Sequence, residues 1–538
     1  MMRFLALPLL ALLAAPAHAQ TDPAALSETV KMLASDAFEG RNPGTAGEEK
    51  TVAYLIDRFK ALGLEPGGPD GQWTQRVPMI HTRIVTPAGE TVTWGKTPLT
   101  PGKDINLTTT RFASRIQIAT NLVFVGYGTD APEAKWDDFK GLDLTGAVVV
   151  FLVNDPDFEA VQGEDAFGRF GGKRMTYYGR WTYKFEEAAR RGAAGALIVH
   201  DTGGAGYPWS TANANNGENY AIDRGPDAKG LAFQGWIEHD TANRLFADAG
   251  LNLDALRVQA RSAGFKPVRI PARFSADLGV TAERIESRNV LAKLPGKRHP
   301  DETVMFGAHW DAYGKASDGT IRPGANDDGL GVAGVLELAR QFKAGPQPDR
   351  SLIFAFWTGE ERGLLGSEYY GNHPVYPLET TAANLTLDIL NAAGPAKNVV
   401  LVGRGNSSLD ALLEDAARAQ GRVVVPETFS ERGLFFRADH FSVARRGVPS
   451  LLIMQLGGAP DLVAGGTEAG QKWLDDYMAC YHKGCDTWDA GWDLRGAAAD
   501  VDLFYAMGNR LANERAWPQW TPGFEFEKAR AASAGARR

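Results

Sequence analysis

Apolar positions recur with helical spacing in two stretches near the start of the chain, residues 25–37 and 45–62. In the second, Val52, Leu55, Ile56, Phe59 and Leu62 fall on one face of a helix. Gly63 and the cluster Pro66-Gly67-Gly68-Pro69 end it. A polar stretch with β character follows to about residue 115. The pattern then changes to short apolar runs divided by glycine-rich turns. Asn121–Gly128 reads as a strand and turn, Gly146–Val153 as a buried strand, Lys184–Arg191 as a helix stopped by Gly192, and Ala194–His200 as another strand. This block runs to about residue 275 and has the texture of an inserted domain.

From residue 287 the pattern alternates. Apolar runs predict strands at 288–294, 303–308, 351–357, 384–390, 398–403 and 449–454. Between and after them, periodic segments predict helices at 329–343, 363–371, 407–420, 438–446 and 497–514. Alternation of this kind predicts an α/β fold with a mainly parallel sheet flanked by helices. Ligands of such sheets bind beyond the carboxyl ends of the strands, so the polar residues there come first in a search for chemistry.

His309 and Asp311 directly follow the run Val304–Ala308, and the two-residue strand period points both side chains the same way. A histidine beside a carboxylate can donate one ring nitrogen to it and offer the other to a metal. Asp327 and Asp328 precede the helix at 329–343, where acidic residues are ordinary caps. Glu360 and Glu361 follow the strand Leu352–Trp357; adjacent acids at a strand end diverge, so one can bind metal while its neighbour faces substrate as a base. Asp388 closes an apolar run, where a buried charge is costly unless paired or metal-bound. His440 precedes the strand near Val448. Singly, each has a structural explanation. Together, all of them fall near the carboxyl ends of successive strands and converge on one edge. Two imidazoles and three carboxylates suit zinc, and also manganese or cobalt. Five ligands exceed one tetrahedral zinc with an open position, but suit two metals about 3.5–4 Å apart that share a carboxylate and a water.

Composition narrows the field. A chain of 538 residues allows two to four domains. The net charge of −8, with no basic stripe, argues against a nucleic-acid partner. An apolar content of 44% excludes a disordered chain. Two cysteines make neither a disulfide framework nor a thiolate zinc cluster, so metal donors must be histidines and carboxylates. Arg3, the apolar run Phe4–Ala15 and the small-residue site Ala17-His18-Ala19 have the layout of a secretory signal peptide over residues 1–19. The mature chain is then expected to be exported, periplasmic or secreted, with no membrane span. In an oxidising compartment Cys480 and Cys485 can bridge around His482; the alternative is two buried thiols.

His309-x-Asp311, Gly324-Ala-Asn-Asp327-Asp328, Glu360-Glu361-x-Gly-Leu-Leu-Gly-Ser367, Asp388 and Asp439-His440 resemble the co-catalytic zinc aminopeptidase family, which also includes glutamate carboxypeptidase and the glutaminyl cyclases. The match runs in order along the mature chain. Lys184-Phe-Glu-Glu-Ala-Ala-Arg-Arg-Gly-Ala-Ala-Gly-Ala-Leu-Ile-Val resembles part of a protease-associated domain. The resemblance implies a zinc-exopeptidase fold of the phosphorylase/hydrolase type. It divides the chain into a discontinuous catalytic domain over 20–115 and 276–525 and a β-rich insert over 116–275 acting as a lid or wall. A frayed tail is expected at 526–538. It implies two zinc ions: His309 and Asp388 on the first, Glu361 and His440 on the second, Asp327 bridging. Glu360 is then the general base, Asp311 orients His309, and the Asp327–Asp328 bond is cis. Phe435, Phe436 and Arg437 stand where some members carry a tyrosine, which leaves Tyr481, His482 and Arg437 as candidates for lining the substrate site. The implied activity is removal of the first residue from peptides with a free N-terminus. A glutamate-type carboxypeptidase would instead need an arginine cluster, with Arg404, Arg432, Arg437, Arg445 and Arg446 as its candidates. A cyclase or a metal-free receptor-like scaffold fits the complete ligand set less well.

Overall fold

A computed structural model describes residues 20–85, 91–225, 230–316 and 318–537. The expected signal segment, 1–19, lies outside the described residues.

Four parallel strands form the centre of one part of the large sheet. Arg350–Trp357 pairs with His299–His309, which pairs with Thr381–Leu387, which pairs with Ser450–Ile453. Antiparallel neighbours extend both sides, with Val268–Leu294 beside Arg350–Trp357 and Asn398–Val402 beside Ser450–Ile453. Val304 to His309 and every residue of Arg350–Trp357 are buried, as continuous apolar runs covered on both faces must be. One face packs Phe306, Phe354 and Phe356 against Val335 and Phe342 of the helix Gly331–Ala344 and Phe504 of the helix Arg495–Asn513. The contact is so close that a Cβ on Gly508 would lie 2.4 Å from the Phe306 ring. Met305, Ile353 and Trp357 face the other way, onto Tyr370 and Val443.

A second core lies between residues 92 and 280. Gly195–Val199 runs parallel between Val148–Leu152 and Phe233–Ile237. The strand Val268–Leu294 joins both units: its first part pairs with Arg115–Phe124, and its later part with Thr74–Val85 and Arg350–Trp357.

Two expected boundaries differ from the structure. Val92, Trp94, Leu99, Ile105 and Leu107 pack in the second core, before the expected start at 116. Their strands pair with Phe233–Ile237 and Val268–Leu294, and that pairing decides which core they join. The chain end is not frayed over its described part. Glu527–Ala532 is helical, and buried Arg530 donates to the carbonyls of Thr381 and Ala382 at 3.0 and 3.3 Å. A further helix, Gly466–Cys480, has no counterpart among the predicted elements.

Candidate metal centre

The carboxyl ends of the parallel strands deliver three of the side chains. His309 is the last residue of its strand and is buried. Its Nε2 lies 3.1 Å from Asp327 Oδ1, and its Nδ1 lies 3.1 Å from the carbonyl oxygen of Asp311. Asp311 therefore braces the ring through its backbone; its carboxylate, 3.7 Å from Nδ1, instead accepts the Glu360 N–H. Asp388 immediately follows the strand Thr381–Leu387, and its buried Oδ1 has no hydrogen-bond partner. Glu360 and Glu361 diverge beyond Trp357: Glu360 Oε2 lies 4.0 Å from His309 Nε2, whereas Glu361 Oε2 lies 3.2 Å from His482 Nε2.

Asp327 comes from the wide turn Ala325–Leu330, with a cis bond to Asp328. The Asp486 carboxylate holds this turn by accepting the N–H groups of Asn326 and Asp327 at 3.0 and 3.2 Å. Arg41, wholly buried, holds it from the other side by donating to the carbonyls of Pro323 and Gly324. Asp328 accepts the N–H groups of His309 and Gly331, so it is a brace and a cap. Sequence reasoning missed Arg41 and Asp486, because neither stands near a ligand in the chain.

Two donor sets emerge, His309–Asp327–Asp388 and Asp327–Glu361–His482, each with its ligand atoms within 4.8 Å of one another. Asp327 belongs to both. His482 occupies the place expected for His440. Cys480 and Cys485 are bonded, and the loop they close carries His482 to within 3.2 Å of Asp327 Oδ2. The His482 ring lies between Tyr481 and Tyr313, with centroids 3.6 and 4.5 Å away. His440 instead opens the helix His440–Ala444, buried against the edge of Phe435 at 4.7 Å, and among the described residues neither ring nitrogen finds a partner. Burial drives its pKa down to about 3, which keeps the ring neutral, and it belongs to neither donor set. The signal that could have found His482 was its cysteine bracket.

The site concentrates buried negative charge. Burial pushes the Asp388 carboxyl up to about 8. Asp327 is also buried, yet hydrogen bonds from His309 and His482 hold it below the usual carboxylate range. Such a cluster is stable when a cation balances it. The carboxylates border a cavity of about 220 Å³ whose lining includes Tyr313, Arg437, Tyr481 and His482. The unit built on the second core adds Arg180, Trp181 and Tyr207 to the same wall.

Residues 289–506 match Peptidase family M28. That segment, about two fifths of the chain, is of the M28 peptidase type. All members of both donor sets, and Glu360, fall within the M28 segment, while Arg180, Trp181 and Tyr207 lie outside it. Along 425 residues the chain is 24% identical to the probable lipoprotein aminopeptidase LpqL of Mycobacterium tuberculosis, covering 76% of this chain and 68% of that protein. It is 29% identical over 205 residues to leupeptin-inactivating enzyme 1 of Streptomyces exfoliatus, covering 37% of this chain and 43% of that protein. It shares its fold with an aminopeptidase from Aneurinibacillus sp. strain AM-1, at a TM-score of 0.52 and 20% identity over 92% of this chain and 95% of that one. Among the described residues no helix is long and apolar enough to cross a membrane.

Proposed function

We propose that this chain is a di-zinc aminopeptidase of the M28 type, exported through residues 1–19, that hydrolyses the first peptide bond of peptides with a free N-terminus. The observation that carries this reading is the sharing of Asp327 between two histidine-carboxylate donor sets. The residues fit zinc. Their donors are imidazole and carboxylate, without thiolate, and the partnerless Asp388 Oδ1 is a buried acceptor that awaits a cation. His309, Asp327 and Asp388 would hold one ion, and Asp327, Glu361 and His482 the other. Zinc supplies Lewis acidity toward the scissile carbonyl and lowers the pKa of water.

Glu360 supplies the proton chemistry. Its N–H is anchored on Asp311, and its carboxylate stands beside His309 on the cavity wall. It accepts the proton of the attacking water and returns it to the leaving amine. The relatives named as aminopeptidases support action at the N-terminus. Of the arginines a glutamate-type carboxypeptidase would need, only Arg437 and Arg445 line the cavity among the described residues, and Arg445 is held by acids. Arg445 and Arg446 pair with Glu368, Arg404 pairs with Glu414, and Arg432 lies over Phe429. The Cys480–Cys485 bond supports an oxidising compartment.

The test is a tripeptide offered free, N-acetylated and C-amidated, with and without chelator, its products identified by mass spectrometry. Release of the first residue, abolished by acetylation and by chelator but persisting after amidation, is expected. Release of the last residue would overturn the assignment.

A further inference from the structure

Buried guanidinium groups in this molecule are nearly all satisfied. Arg41 donates to four carbonyl oxygens, Arg350 pairs with Glu302 and Arg422 with Asp500. Arg180 differs among the described residues. It is 6% exposed, immediately precedes the helix Trp181–Arg190 of the unit built on the second core, and lines the catalytic cavity. Among the described residues its guanidinium makes no hydrogen bond or ion pair: its Nε is buried without a partner, and the Trp181 ring lies 5.8 Å away. Arg437, on the catalytic wall of the same cavity, likewise has no ion pair or side-chain hydrogen bond among the described residues.

The two arginines are close enough to repel. Burial first, and then the charge of Arg437, lower the Arg180 pKa to about 10. Tyr207 feels the charge of both groups. Of the other acids on this wall, Glu186 and Glu368 are held by Arg445 at 3.0 and 2.6 Å. Asp327, Asp388 and Glu361 are committed to the donor sets. Two guanidinium groups on this cavity thus have no ion-pair partner among the described residues, and a carboxylate is the anion a peptide carries.

We propose that Arg180 and Arg437 form a carboxylate-binding subsite, and that preferred substrates are peptides bearing a carboxylate within reach of the scissile bond. The carboxylate is the C-terminus of a di- or tripeptide, or an acidic side chain. Lysine and arginine side chains at that subsite are disfavoured by the same charges. The substrate class rests on the peptidase reading above; the anion site itself rests on the arginines.

The test is calorimetric binding of N-acetylated dipeptides, which an aminopeptidase does not cleave, to the zinc-loaded full chain. N-acetyl-Leu-Gly against its amide reads the C-terminal source. N-acetyl-Leu-Asp-amide against N-acetyl-Leu-Asn-amide reads the side-chain source. The carboxylate member of at least one pair is expected to bind about tenfold tighter or more. Arg180→Gln and Arg437→Gln should each collapse that ratio toward one, with folding checked by Tm; if one variant does not fold, the other decides. Equal binding within both pairs, absence of binding included, overturns the subsite, as does a ratio that survives in every folded variant. Discrimination in a chain that cleaves nothing would sink the peptidase reading and leave the subsite standing.

Discussion

His482 Nε2 stands 3.2 Å from Asp327 Oδ2, while His309 Nε2 stands 3.1 Å from Asp327 Oδ1. One carboxylate thus faces one imidazole with each oxygen, the arrangement a bridging ligand requires. Replacing His482 by Ala should lower bound zinc from about two to about one per chain, whereas His440→Ala should keep both. The latter should cost about 2–3 kcal/mol of stability, because it empties a packed site. Metal analysis and thermal unfolding of the two variants read this directly; the opposite pattern of zinc loss would restore His440 as the ligand.

Glu360 borders the cavity but belongs to neither donor set. Glu360→Gln should therefore retain zinc and lose about 10²–10⁴ in kcat, the usual contribution of a positioned general base. Asp327→Ala should lose metal from both sets. Zinc content measured beside turnover separates the two cases.

The Cys480–Cys485 bond closes a small loop around His482. Loop-closure entropy for such a ring is worth about 2 kcal/mol. Reduction, or the double change Cys480→Ser and Cys485→Ser, should free His482 and make one zinc easier to strip. A chelator titration with and without reductant should show one of the two ions released at lower chelator concentration; identical curves would show that packing between Tyr313 and Tyr481 holds the ring unaided.

Arg530 ties the C-terminal helix to the edge of the strand Thr381–Leu387. Arg530→Ala leaves those two carbonyls without their donor and should lower stability by about 2 kcal/mol. Deleting residues 524–538 should cost more, since Phe524 and Phe526 pack against Trp520. Differential scanning calorimetry ranks the three proteins.

His81 bridges Glu218 and Glu283, each at 2.8 Å. The hydrogen bond to Glu218 raises the His81 pKa, and the same bond lowers Glu218 to about 2. A raised histidine stabilises the fold fully below its unfolded value near 6.5 and loses that effect as pH rises through the folded value. The depressed Glu218 acts at the other end: its contribution is present above about 4.5 and is lost as pH falls toward 2. The Tm difference between the native chain and His81→Gln should therefore shrink as pH rises from about 6 to about 9. A difference independent of pH over that range would show that His81 acts through its stacking on Tyr220, 4.3 Å away, and not through charge.

Much of the catalytic unit was legible in the chain, and for local reasons. The strand Arg350–Trp357 and the helix Gly331–Ala344 were readable because burial on both sheet faces, or on one helical face, leaves a periodic trace in neighbouring residues. His309, Asp327, Glu360, Glu361 and Asp388 were legible because each lies at or near the end of such an element. The remaining parts of the site depend on contacts between segments far apart in the chain. The choice of His482 over His440 was made by the helix Gly466–Cys480, whose end returns the chain to Asp327. Arg41 and Asp486 reach the Asp327 turn from about 280 residues before it and about 160 after it. The meeting of Arg180 with Arg437 required two separate cores to face one cavity. Sequence by itself determined which elements form and which donors they carry, since both are set by nearest neighbours. Tertiary structure alone decided which histidine completes the second donor set and which charges stay unpaired, because loop closure and burial are properties of the whole packed chain.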